Sequence, residues 1–273
     1  MKHRESRILS NQEIAPGVFE LIADTKDFPK SIPGQFMMVY PNRNDLILPR
    51  PISICRQVNN LTMLVYKTVG KGTAHLSSLK PGDNVRIMGP LGNGFKINEN
   101  KSRIALVGGG IGIPPMVSVF DRIRPDTDVD IGAKNSKEVE ITVLLGFKDS
   151  HFLTTLFNGA NLHIISEDTT AFKNPPFPTG TVFPKNGSVL DLLNELDSEN
   201  NYDEIYACGP KPMLAALSRY AKERNIPLQV SLEERMACGV GACLGCAAMS
   251  AEENYVKICC DGPVFYSDKV VLD

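Results

Sequence analysis

The sequence predicts a multidomain α+β protein: an N-terminal antiparallel β-barrel, a central α/β domain on a parallel sheet, and a small cysteine-rich C-terminal domain. Three observations predict it. Short apolar runs punctuated by Gly and Pro fill the first third of the chain. Apolar runs alternating with helical segments fill the middle. Five of the seven cysteines crowd positions 238, 243, 246, 259 and 260. The expected divisions are 1–98, 99–226 and 227–273.

In the first division the runs 17–22, 35–40, 51–54, 61–66 and 84–88 have strand length and spacing, the pattern of a small closed antiparallel barrel. Only 73–79 reads as helix, ended by the turn Lys80-Pro81-Gly82-Asp83. From about residue 98 the pattern changes to strand 103–107, helix 114–123, strands 139–147 and 162–166, helix 188–196, strand 204–207 and helix 211–224. Such alternation predicts a parallel sheet covered on both faces. Residues 126–137 read as an exposed loop. A last strand, 228–232, hands over to the cysteine-rich tail.

Composition narrows the function. A chain of 273 residues can bury real cores. Lys plus Arg number 29 against 31 Asp plus Glu, without the basic excess of a nucleic-acid binder. The start Met1-Lys2-His3-Arg4-Glu5-Ser6 leads into a polar stretch, so no export signal is expected. The longest apolar region, 104–120, is broken by four glycines and two prolines and does not read as a membrane span. Cysteines clustered in a chain without an export signal point to metal or cofactor ligation in a reducing compartment. A cytoplasmic protein is expected.

Four constellations carry chemistry. The most specific is Cys238-Gly239-Val240-Gly241-Ala242-Cys243-Leu244-Gly245-Cys246 with a later Cys259-Cys260. The spacing C-x4-C-x2-C plus a distant fourth Cys is that of plant-type 2Fe-2S ligation. Gly239, Gly241 and Gly245 let the loop take left-handed turns and bring N–H groups against sulfur. Four thiolates also make a zinc site, but zinc ribbons favour two C-x2-C pairs and only one is present. On residue type alone, the fourth ligand is open between Cys259 and Cys260, which cannot both point inward.

The second constellation is Arg50-Pro51-Ile52-Ser53, with Val65-Tyr66-Lys67 and Gly72-Thr73 downstream. A guanidinium beside a strand can fork onto a pyrophosphate. Gly72-Thr73 ahead of a short helix offers backbone donors to a phosphate. In the third, Gly108-Gly109-Gly110-Ile111-Gly112 follows a strand and opens a helix, where strand–loop–helix units bind nucleotide phosphate. It departs from G-x-G-x-x-G because Ile113 holds the last glycine's place. The fourth is Cys208-Gly209-Pro210, directly after strand 204–207, where parallel sheets bind ligands.

Together these stretches resemble the ferredoxin–NADP reductase superfamily over essentially the whole chain. Residues 231–246, followed by the Cys-x-Asp-Gly-Pro-Val-Phe phrase at 259–265, are very similar to the electron-transfer subunits of NAD-linked (class 1B) dihydroorotate dehydrogenase. The segment 89–95 also looks like that family's join between barrel and nucleotide lobe. The resemblance implies Cys259 rather than Cys260 as fourth ligand, beside Cys238, Cys243 and Cys246. It implies FAD on the barrel, with Arg50 at the pyrophosphate and Ser53 near the reactive ring. Pro51 and Ile52 lie between these two. Val65, Tyr66 and Lys67 would run beside the nucleotide half, and Gly72 and Thr73 would hold the phosphates. Gly108, Gly109, Gly110 and Gly112 with Cys208, Gly209 and Pro210 would form the NAD site.

The implied function is electron transfer from the FMN of a separate dihydroorotate dehydrogenase catalytic subunit, through a 2Fe-2S cluster and FAD, to NAD+. Two copies of each subunit in a heterotetramer serving pyrimidine (UMP) biosynthesis are implied, with no substrate base in this chain. Related subunits of a hydrogenase, a sulfide or sulfite reductase, or a ferredoxin–NADP system share the same cofactors. A zinc-stabilised nucleotide-binding regulator is the alternative from another class.

Overall fold

A computed structural model describes residues 2–124, 139–148, 150–166, 182–197 and 202–272. The expected loop at 126–137 lies outside them. Strands β1 (Lys2–Ala15), β2 (Val18–Asp24), β3 (Phe36–Tyr40), β4 (Arg50–Val58), β5 (Leu61–Lys67) and β6 (Asn84–Leu91) close into an antiparallel barrel. Their order round the barrel is β1-β2-β5-β4-β3-β6. Helix α1 (Lys71–Ser78) follows β5.

Strand alternation sorts the barrel's side chains. Met37, Val39, Ile52, Ile54 and Leu64 point inward into one core, each such burial contributing about 1.5–3 kcal/mol. The alternate residues of β3, Phe36 and Met38, point outward and join the core shared with the C-terminal part. Strand β1 lies ahead of the first strand expected from the sequence, which begins at 17. It bends from β6 onto β2 at a register shift after Ile8.

The middle of the chain runs through β7 (Arg103–Gly109), α2 (Ile113–Ile123), β8 (Glu140–Phe147), β9 (Asn161–Ser166), β10 (Val182–Asn186), α3 (Val189–Asp197), β11 (Glu204–Cys208), α4 (Lys211–Arg224) and β12 (Leu228–Ser231). Their sheet order is β10-β9-β8-β7-β11-β12, all parallel. Both faces are covered, so β7 and β11 read as continuous apolar runs. Ala105 and Val107 pack on the side of α3 and α4. Ile104 and Leu106 pack on the side of α2. Helix α4 stops where Asn225 turns left-handed at φ 55 and its N–H returns to the last turn.

Three short strands complete the chain: β13 (Ala247–Met249), β14 (Tyr255–Lys257) and β15 (Val264–Tyr266). The first two form a hairpin, while β15 adds antiparallel to β12 as the edge of the large sheet, now seven-stranded. β12 lies beyond the expected boundary at 226/227, yet it is bonded to β11 along its whole length. The cysteine-rich part is thus stitched onto the parallel sheet rather than tethered beside it.

Candidate functional site

The cysteine loop runs from β12 to β13 without regular secondary structure. Its reversals come from Gly239 at φ 68, Gly241 at φ 78 and Leu244 at φ 58. The first two glycines take the left-handed role expected of them. Gly245 does not; Leu244 takes that conformation instead, with its side chain 63% exposed. This folding aims backbone donors at sulfur. Val240 N and Cys243 N donate to Cys238 Sγ, each at 3.4 Å. Gly245 N donates to Cys243 Sγ at 3.4 Å and Cys259 N to Cys246 Sγ at 3.4 Å. Gly241 N reaches Cys259 Sγ at 3.1 Å.

These contacts group the four cysteines in two pairs, Cys243 with Cys238 and Cys259 with Cys246. Cys246 and Cys259 are buried, Cys238 is half-buried and Cys243 is exposed. Desolvation acts to raise the Cys238 thiol, but the N–H groups of Val240, Cys243 and Ala242 outweigh it and hold the thiol at about 6. Burial, and then the shared hydrogen with Cys246, push Cys259 up to about 12. Cys260 Sγ sits 3.7 Å from Asp261 Oδ1, outside both pairs.

Among the described residues no three His, Cys, Asp or Glu side chains are placed to hold a single metal ion. Paired thiols, each sulfur met by amide N–H groups, suit a binuclear iron–sulfur cluster, in which each iron takes two protein sulfurs. A lone tetrahedral ion needs all four to converge.

On the barrel, the Arg50 guanidinium donates to the Leu48 carbonyl at 2.6 Å and lies against Gly72, where a Cβ would overlap it. The fold therefore brings Arg50 to the first turn of α1, as a shared anion site requires. Thr73 Oγ1 is already committed, accepting from Val69 N at 2.9 Å and Gly70 N at 3.3 Å and donating to Gly70 O. The hydroxyl is thus engaged within its own helix start, which agrees with the expectation that any phosphate donors here come from the backbone. Ile52 faces the barrel core, whereas Pro51 and Ser53 lie on the outer face, Ser53 beside Phe36 in register. Val65 is buried toward the nucleotide lobe and Lys67 is exposed. Tyr66 stacks on Phe19 with ring centroids 5.8 Å apart and donates to Asn11 Oδ1 at 3.0 Å. Burial raises its phenol.

At the carboxyl edge of the parallel sheet, Cys208 and Gly108 are register neighbours. Gly110 turns left-handed at φ 52, and Gly112 lies so close to the Cys208 carbonyl that a Cβ would overlap it. A Cβ at Gly109 would meet Met213 Sδ at 2.7 Å and Pro210 Cδ at 3.0 Å. The two nucleotide motifs thus form one backbone-lined notch. The Cys208 thiol is closed off at 1% exposure. Burial raises it, the nearby Glu233 adds to that, and a hydrogen bond with Ser231 opposes them.

The join expected at 89–95 also ties the barrel to the cysteine-rich part, through contacts that the sequence does not show. The chain leaving β6 is tied at Asn93 to the cysteine-rich part. At Lys96 it is tied to β12, where Lys96 N donates to Gln229 Oε1 at 2.9 Å and Gln229 Nε2 returns to Lys96 O at 2.9 Å.

Residues 233–271 match the family model described as the iron-sulfur cluster binding domain of dihydroorotate dehydrogenase B. The chain is 37% identical over 271 residues to the dihydroorotate dehydrogenase B (NAD(+)) electron transfer subunit of Caldanaerobacter subterraneus subsp. tengcongensis, covering 98% of each. The subunit of the same description from Listeria monocytogenes serotype 4b is 37% identical over 281 residues, covering 100% of each. In fold, the chain is similar to a structure of an NADH-dependent reduced ferredoxin–NADP oxidoreductase. That match has a TM-score of 0.78 at 24% identity and covers 98% of this chain and 90% of the other. Ferredoxin–NADP+ reductase from Plasmodium falciparum, as the H286L mutant, gives a TM-score of 0.62 at 17% identity over 83% of this chain and 95% of its own.

Proposed function

The chain belongs to the family of dihydroorotate dehydrogenase B (NAD(+)) electron transfer subunits, and on that premise we propose that it carries electrons from the FMN of a dihydroorotate-oxidising partner to NAD+ by way of a 2Fe-2S cluster and FAD. It is an oxidoreductase subunit of pyrimidine biosynthesis, and the full-length relatives set aside the hydrogenase, sulfite-reductase and zinc-regulator readings. FAD supplies exchange between hydride and single electrons, and the cluster supplies single-electron transfer.

The chain's own residues bind and orient. Residues 1–98 hold FAD, 99–226 hold NAD and 227–273 hold the irons. Cys238, Cys243, Cys246 and Cys259 are the thiolates, and the loop N–H groups stabilise their charge. Arg50 and the first turn of α1 take the pyrophosphate, with Gly72 leaving room for the guanidinium. Ser53 faces the ring from the outer side of β4, with Pro51 and Ile52 setting its register and Val65, Tyr66 and Lys67 lining the nucleotide half. The glycines 108–110 and 112, with Cys208, Gly209 and Pro210, receive the nicotinamide nucleotide.

The observation that carries this reading is the set of five N–H···S contacts closing round two thiol pairs on the same sheet as the nucleotide notch. Exposed Cys243, flanked by Val240 at 42% and Leu244 at 63% exposure, offers the catalytic subunit a face through which electrons enter. Among the described residues no helix is long and apolar enough to cross a membrane. We place the protein in the cytoplasm, where thiolates stay reduced, as a heterotetramer with two copies of each subunit.

The test is NAD+ reduction by dihydroorotate. The chain alone gives none; adding the FMN-containing subunit starts steady turnover. Turnover by the chain alone refutes the division of labour.

A further inference from the structure

The segment leaving β6 touches the flavin strand on one side and the fourth-thiolate loop on the other. Gln35, whose carbonyl accepts from Ile54 N of β4 at 3.0 Å, donates through Nε2 to the Gly92 carbonyl at 2.8 Å. One residue on, Asn93 Nδ2 donates to the carbonyls of Cys260 and Asp261, both at 3.1 Å. Asn93 N donates to the Gly262 carbonyl at 2.6 Å, and Val264 N returns to Asn93 O at 3.4 Å. Gly92, at φ 77, lies so close that a Cβ would stand 2.6 Å from Pro263 Cδ and 3.1 Å from the Phe36 ring.

Asn93 is exposed, so its side chain fills no core. Both amide hydrogens are spent on the two carbonyls that directly follow Cys259. The route from β4 to Cys259 is therefore a short hydrogen-bonded strut made of Gln35, Gly92 and Asn93.

We propose that the Gly92–Asn93 turn is the spacer that sets how far the Cys259 side of the cluster stands from the flavin, with Asn93 as a positioning residue. This rests on the reading above that Cys259 is a cluster thiolate and β4 a flavin strand. Electron exchange between centres falls off with their separation, so a shift of the Cys259 side away from the flavin slows it. A lost strut thus slows arrival at the irons without touching the hydride step at the nucleotide notch.

The experiment compares the full-length holoprotein with Asn93→Ala and Asn93→Asp under anaerobic mixing with NADH. Flavin bleaching reports hydride transfer, and the paramagnetic signal of the reduced cluster reports the electron that reaches iron. Both variants should bleach at the parental rate, reduce the cluster several-fold more slowly and show an altered cluster line shape. The Asp variant keeps the size but lacks the donors, so it should behave like Ala. Parental cluster kinetics and line shape in either variant overturn the proposal, as does equal slowing of flavin bleaching.

A second readout needs no cofactor. In metal-free protein, maleimide labelling of buried Cys259 should rise several-fold in both variants while that of Cys238 stays unchanged. Unchanged Cys259 labelling overturns the proposal even if a variant loses its iron. A parent protein without iron or flavin instead refutes the functional reading, and the labelling result still decides the strut.

Discussion

The Arg56 guanidinium grips the Asp121 carboxylate through two parallel hydrogen bonds, Nε to Oδ2 and NH2 to Oδ1, both 2.6 Å. The pair joins barrel strand β4 to helix α2, which opens directly from the glycine loop of the nucleotide lobe. Both partners are about three-quarters buried, at 27% and 24% side-chain exposure. A bidentate, partly desolvated pair fixes direction as well as distance.

Asp121→Ala leaves a half-buried guanidinium without its carboxylate. The expected cost is about 1–2 kcal/mol of stability, together with slower flavin reduction by NADH as barrel and lobe lose their alignment. Thermal unfolding and anaerobic stopped-flow mixing measure the two. An unchanged flavin rate in a destabilised variant limits the pair to a folding role.

Cys259→Ser and Cys260→Ser separate two adjacent thiols. The first should strip or destabilise the cluster while FAD stays bound, because the barrel is untouched. Iron and acid-labile sulfide should stay at parental levels in the second, whose thiol faces Asp261. The reverse pattern reassigns the fourth ligand. Cys243→Ser should behave like Cys259→Ser.

Gly72→Ala and Arg50→Ala act on one contact from its two sides. The new Cβ displaces the guanidinium, and the alanine removes a charge-assisted phosphate contact worth about 1.5–3 kcal/mol. Flavin should wash out of both on gel filtration, with α1 still formed by circular dichroism. Parental flavin content in both would remove the anion site from this corner.

In metal-free protein the Cys238 thiol lies low, at about 6. Its anion is favoured by the loop amides, so that stabilisation is present above this value and lost as pH falls through it. Alkylation at Cys238 should therefore persist to about pH 6, while Cys259, pushed up to about 12, stays unreactive. Mass spectrometry of the alkylated peptides across pH 5–9 checks the order.

Leu244 stands exposed beside the exposed thiol of the loop. Leu244→Asp puts a charge at the centre of the proposed docking face and should cost at least about 1 kcal/mol of assembly with the catalytic subunit, leaving NADH-driven flavin reduction intact. Analytical ultracentrifugation of the mixed subunits reads the loss.

The parts of this molecule with strong periodicity were legible from residues. Met37, Val39, Ile52 and Ile54 alternate inward, and the unbroken apolar runs 104–107 of β7 and 205–208 of β11 mark interior strands. β1 escaped because its described side chains before Ala15 are fully buried only at Ser6 and Ile8. β13, β14 and β15 have three residues each, too few to carry a period. The cysteine spacing named the chemistry, but long-range packing decides which thiol points where and which hydroxyl is spent. Thr73 capping its own helix is of that kind. Asn93, 167 positions from Cys260, is another.

The most direct measurement is a spectrum of the anaerobically purified chain titrated with NADH, with iron, sulfide and flavin determined on the same sample. The expected result is a brown protein containing FAD and equal iron and acid-labile sulfide, whose flavin bleaches and whose cluster turns paramagnetic as NADH is added. A colourless chain with zinc, or flavin reduction that never reaches the irons, contradicts it.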